Sequence, residues 1–142
     1  MEKTEKFRRT FEKFEKAFKK FEEIIKQPAL FNFLSEDLII EIATKRFEYT
    51  FEALWKTLKE YLRVEGLVVS TPLQCFKESF KRGLIEEKYE EIFFEMIEKR
   101  NQIVHIYSSD EAKKIFQFIK RDELYLGIDS VYKKLKEIIS NE

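Results

Sequence analysis

An all-α fold is what this sequence predicts, and three observations predict it. Phe7, Phe11, Phe14, Phe18, Phe21 and Ile25 recur in steps of four and three, the spacing of one face of a helix. Glycine and proline are scarce, three and two in 142 residues, which leaves few places to turn the chain. No alternating strand pattern survives, although Leu67-Val68-Val69 is a brief β-branched stretch. The expected architecture is an antiparallel up-and-down bundle of four main helices with one short extra helix, in a single domain over residues 1–142.

The first helix carries the phenylalanine stripe, with Lys and Glu at the other positions, and the stripe reads as core packing. Pro28 ends it, and Phe31 and Phe33 are expected to plug the gap beneath the connection. Ser35, followed by Glu36 and Asp37, is an N-cap with acids in the first turn. A second helix then runs toward Val64 with Phe47, Phe51, Leu54, Trp55, Leu58, Tyr61 and Leu62 on one face, and Gly66 suits the left-handed residue after its end. Thr71-Pro72 reads as N-cap and first helical position of a helix of about three turns that Gly83 ends. A fourth helix covers roughly Glu86 to Tyr107. Ser108-Ser109-Asp110 is the next capping signal, and a helical pattern continues to the C-terminus with a weak point around Arg121 to Gly127.

Composition bounds the function. Acidic and basic residues balance at 27 each, so no global field attracts nucleic acid; an RNA partner would have to be gripped by a local patch. Fifteen phenylalanines supply a large apolar payload for burial. The lone Cys75 has no disulfide partner, and one thiol with one histidine cannot build a structural zinc site, so neither a metal nor another cofactor is expected. The charged N-terminus lacks the apolar core of a signal peptide, and no run is long enough to span a bilayer. A reduced, cytoplasmic protein with no membrane partner is the expectation.

The fourth helix contains an anomaly. On a wheel of roughly 100° per residue, Ile92, Phe93, Met96, Ile97, Ile103, Val104 and Ile106 form a broad apolar arc, and Arg100 falls in its middle. Tyr107 lies almost directly above Arg100, and Asn101 and His105, spaced by four, share a neighbouring edge. A guanidinium on an apolar face is expensive unless it is paired or opens onto a polar cleft. Two readings follow: a structural ion pair with a Glu of another helix, or a functional site. The coincidence of the chain's one His, an Asn and a Tyr beside one misplaced Arg brings the second level with the first.

At these residues the chain resembles a known family. Arg100-Asn101-Gln102-Ile103-Val104-His105 is similar to the Arg, polar residue, His pattern of HEPN domains, many of which are metal-independent ribonucleases. The extension Ile106-Tyr107 resembles the HEPN toxins paired with a minimal nucleotidyltransferase antitoxin, long labelled nucleotidyltransferase substrate-binding proteins. Arg46-Phe47-Glu48-Tyr49-Thr50-Phe51 leading into Trp55-Lys56-Thr57-Leu58-Lys59-Glu60-Tyr61-Leu62 looks like that family's second helix. Thr71-Pro72, Phe76 through Phe80 and Gly83-Leu84-Ile85 look like its short third element. Gln102-Ile103-Val104 and Ile106 depart from it, replacing positions that are small or hydroxylated in many relatives.

The resemblance implies cleavage of RNA, not DNA, through attack of a ribose 2′-hydroxyl on the adjacent phosphate. Such a reaction needs a base, an acid and positive charge for the phosphorane. His105 suits one proton-transfer role, Arg100 can clamp phosphate oxygens and Asn101 can orient either group. Because one chain offers one His, a homodimer joining two fourth helices across a shared cleft is expected. In the resembled subgroup the tyrosine equivalent to Tyr107 accepts AMP from the partner nucleotidyltransferase, which silences the nuclease. The alternative is a non-catalytic subunit that positions nucleotide or substrate for that nucleotidyltransferase.

Overall fold

A computed structural model describes residues 2–106 and 108–142. Tyr107, the expected AMP acceptor, lies outside the described residues. Among them the fold is all-α, with six α-helices and no strand.

Helix α1 (Glu2–Lys26) buries Phe7, Phe11, Phe14, Phe18 and Phe21, as the stripe requires. Its last inward residue is Ile24, one position before the expected Ile25, which is half-buried. A single 3₁₀ turn, Pro28–Phe31, follows. Phe31 packs on the core beneath the Arg46 guanidinium, 5.4 Å from its ring centre. Phe33 does not plug the connection: it stands 83% exposed, carried past the core by the turn.

Helix α2 (Glu36–Val64) starts where the Ser35 side chain accepts from the Leu38 amide at 3.3 Å. It ends at Gly66, whose φ of +93° lets the Leu67 amide close back on the Leu62 carbonyl at 2.8 Å. Helix α3 (Pro72–Lys81) repeats both devices, with Thr71 accepting from Gln74 at 3.1 Å and Gly83 at φ +80°.

The later boundaries depart from expectation. A 3₁₀ turn, Glu87–Tyr89, precedes α4 (Glu90–Ile103), which stops four residues short of Tyr107. Val104 and His105 form a turn in which the His105 amide donates to the Gln102 carbonyl at 2.9 Å. Ser108 caps α5 (Ser109–Ile119), accepting from the Glu111 amide at 3.2 Å. The C-terminal pattern is two helices, because the chain breaks at Lys120-Arg121 before α6 (Asp122–Ser140). Gly127, inside the expected weak point, is helical. A side chain there would begin 3.2 Å from the Phe93 ring and 3.4 Å from that of Tyr89, so the glycine permits the close approach of α6 to α4.

Helix α1 lies between two antiparallel neighbours. Against α2, the Thr57 and Thr50 hydroxyls donate to the carbonyls of Thr10 (3.3 Å) and Ala17 (3.2 Å). Against α6, Tyr132 donates to Glu15 and Tyr125 to Glu22. One contiguous core takes residues from all six helices, with edge-on rings of Phe51, Phe76 and Phe93 joining α2, α3 and α4.

The two tyrosines give the α1–α6 seam a pH dependence. Burial first, and then the hydrogen-bonded carboxylates, raise both phenols above the ordinary value of 10.0. Above that value the unfolded chain releases phenolic protons that the folded chain retains, so stability is intact below pH 10 and falls as pH rises through the folded values. The urea midpoint is expected to fall more steeply above pH 10 in the wild type than in Tyr125→Phe/Tyr132→Phe.

Candidate functional site

Arg100 lies in the last turn of α4, where the partial negative charge of the helix end favours a cation. Its guanidinium stacks 5.2 Å above the Phe51 ring centre. Nη2 donates to Glu52 on α2, and Nη1 donates to the Asn101 side-chain oxygen at 3.3 Å. Glu52 also accepts from the Trp55 indole at 3.2 Å and lies 3.9 Å from the Lys56 ammonium. The structural ion pair therefore exists, and it explains how an arginine tolerates an apolar face. The pair is not sealed: the two side chains keep 35% and 34% of their surface. An ion pair this exposed contributes about 0–1 kcal/mol, so it does not account for the fold.

Asn101 and His105 are both exposed. Their expected spacing along one helix edge is lost, because α4 ends between them, yet the turn at 104–105 keeps them together. Arg100, Asn101 and His105 line one open cleft of about 420 Å³ with Val104 and, from α2, Glu48 and Glu52. On its other side the Asn101–His105 rim borders a second cleft of about 460 Å³ that includes Lys99, Gln102, Glu111 and Lys114. Val104, assigned to the apolar arc, is 71% exposed at the mouth of the first cleft, since the backbone leaves the helix before it.

Glu48 and Glu52 are the lining residues that the sequence alone does not bring out. They sit four apart on the edge of α2 beside its apolar face, an ordinary position for a solvated acid. Only the 48-residue separation of Glu52 from Arg100, closed by the fold, makes it a partner. Among the described residues no cluster of three or more His, Cys, Asp and Glu is placed to hold a metal ion. No helix among them is long and apolar enough to cross a membrane.

Cys75 stands apart from this site. It is fully buried against the α2 backbone, its thiol 3.4 Å from the Trp55 carbonyl, and burial pushes its pKa up to about 12. Alkylation by iodoacetamide at pH 8 is expected to be negligible in the native protein and complete in urea.

A crystal structure of a protein from Thermus thermophilus shares this fold with a TM-score of 0.73 and 29% identity, covering 87% of this chain and 98% of that one. No curated protein matches the chain. Residues 9–137 match the family model described as nucleotidyltransferase substrate binding protein like. That match runs from the phenylalanine stripe of α1 through the cleft to the last turns of α6, and the chain belongs to the nucleotidyltransferase substrate binding protein-like family.

Proposed function

We propose that this chain is a cytoplasmic, HEPN-type ribonuclease toxin, acting as one domain and neutralised by a cognate minimal nucleotidyltransferase. The observation that carries the reading is the sharing of one open cleft by Arg100, Asn101 and His105. In this reading α1, α2, α4 and α6 frame an antiparallel bundle that presents the end of α4.

Cleavage proceeds without metal. The ribose 2′-oxygen loses its proton to one His105 and bonds to phosphorus; the bond from phosphorus to the 5′-oxygen breaks, and that oxygen takes a proton from a second imidazole. The products are a 2′,3′-cyclic phosphate and a 5′-hydroxyl. Since the chain holds one histidine, the second imidazole is the other subunit's His105 in a two-fold dimer. Arg100 neutralises the phosphorane, exchanging its Glu52 partner for phosphate oxygens, and Asn101 steadies the guanidinium that it already contacts. AMP on Tyr107 adds bulk and negative charge two residues from His105 and competes with RNA for Arg100.

A second reading has an observation of its own. The Arg100 guanidinium is already held by Glu52, and Glu48 adds another carboxylate to the cleft, a setting less favourable to phosphate. It makes the chain a non-catalytic subunit that positions nucleotide or substrate for the nucleotidyltransferase. Incubating purified protein with RNA in EDTA separates the two: cyclic phosphate ends support cleavage, and intact RNA overturns it. A mass increase of one or more AMP units on Tyr107, after co-expression with the nucleotidyltransferase, supports the pairing.

A further inference from the structure

We propose that the seam between α1 and α2 is a binding groove for single-stranded RNA that leads into the Arg100–His105 cleft. This inference rests on the ribonuclease reading above and adds to it the surface that grips the substrate.

The chain is neutral overall, yet its charge is not spread evenly. An open groove of about 600 Å³ along the seam is lined by Lys6 and Lys13 of α1 and Lys56 and Lys59 of α2. A smaller hollow of about 200 Å³ continues the seam, lined by Lys16, Lys20 and Arg46. The only carboxylates lining either are Glu52 and Glu60. Glu60 is nearly buried and bonded to Arg63 at 2.8 Å, with Lys6 at 3.6 Å. Glu52 is bound to Arg100. Of these seven cations Lys6 pairs with Glu60, Lys56 lies 3.9 Å from Glu52 and Arg46 pairs with Glu23 at 3.2 Å, which leaves Lys13, Lys16, Lys20 and Lys59 as the local patch that a neutral protein needs to hold a polyanion.

The shape fits a strand. Thr10, Ala17 and Ala53 line the floor, and such small residues let the two helices approach closely enough for the Thr50 and Thr57 hydroxyls to reach α1 carbonyls. The rise from Lys6 to Lys20 is about 21 Å at roughly 1.5 Å per residue, room for a few nucleotides. Tyr49 lines both the groove and the hollow and is 63% exposed, an aromatic face free to stack on a base. Half-buried Trp55 also lines the groove, with the Lys59 ammonium 5.6 Å from its ring. The groove and the reaction cleft share one wall residue, Glu52, whose carboxylate holds Arg100. A solvated lysine face would explain the charges alone; it would not explain an exposed tyrosine between two cationic hollows that open toward a phosphate-handling cleft.

The test is binding of a fluorescein-labelled oligouridylate of about twelve nucleotides, with 2′-O-methyl groups so that it cannot be cleaved. Lys13→Gln/Lys16→Gln is expected to weaken binding and to reduce the slope of log affinity against log salt by about 1.4, at roughly 0.7 per single-strand phosphate contact. Tyr49→Ala is expected to cost roughly ten- to a hundredfold in affinity while Tyr49→Phe retains it. Lys77→Gln/Lys81→Gln on α3 removes the same charge elsewhere and should leave the slope unchanged. An unchanged slope in the α1 pair, or an equal loss in the α3 pair, overturns the groove. So does RNA binding that survives in the α1 pair while co-purification of the nucleotidyltransferase is lost, which would make the seam a protein interface. Binding and cleavage are read separately: a groove that binds RNA with no cleavage sinks only the ribonuclease reading, and cleavage with indifferent groove variants sinks only the groove.

Discussion

His105→Ala is expected to lower the proposed RNA cleavage by about 10²–10⁴-fold, the usual contribution of a positioned proton-transfer group. It should also relieve growth arrest on overexpression. The side chain is exposed in a turn, so the thermal melt should move little, with a cost within about 0.5 kcal/mol. A dimer sharpens the expectation. If each reaction uses the imidazoles of both subunits, a heterodimer of wild-type and His105→Ala protein is inactive, and activity falls as the square of the wild-type fraction. If each subunit works alone, heterodimers behave as the sum of their parts. Arg100→Lys keeps the charge and loses the planar fork, so it should recover only a small part of the activity that Arg100→Ala removes. Cleavage unchanged in His105→Ala would end the catalytic assignment.

Much of the fold is legible in the sequence because its signals are local. Ser35, Thr71 and Ser108 cap their helices through amides three residues ahead, and Gly66 and Gly83 take the positive φ that ends the first two of these helices. The end of α4 is not legible, because no breaker stands between Ile103 and Ser108 and the apolar pattern continues through Ile106. The C-terminal break lies at the very start of the expected weak point, since Gly127 reads as a weakness in sequence and serves as a packing contact in space. Arg100, Asn101 and His105 emerge from the sequence as a cluster, although by a helical geometry that the turn at 104–105 replaces. Glu52 does not emerge, because a pairing across 48 residues leaves no trace in spacing. The charge balance of the whole chain likewise hides the cationic seam, which exists only once α1 and α2 lie antiparallel.

Phe51→Ala is expected to lower stability by about 3–5 kcal/mol, a large part of the roughly 5–15 kcal/mol typical of a domain. The ring is wholly buried, meets Phe76 edge-on at 6.0 Å and lies 6.4 Å from Phe47, so its loss opens a cavity where α2 meets α3. The same ring is the floor beneath the Arg100 guanidinium. Truncation therefore loosens the cleft as well as the core, and cleavage should fall even at temperatures where the variant remains folded. Arg100→Ala provides the contrast. It removes a half-exposed ion pair worth about 0–1 kcal/mol and leaves Glu52 with Trp55 and Lys56 as partners, so the urea midpoint should barely change while activity is lost. A cost of several kcal/mol for Arg100→Ala would mean that the guanidinium is held for the fold, and the cleft would then lose the cation on which the proposed phosphate chemistry depends.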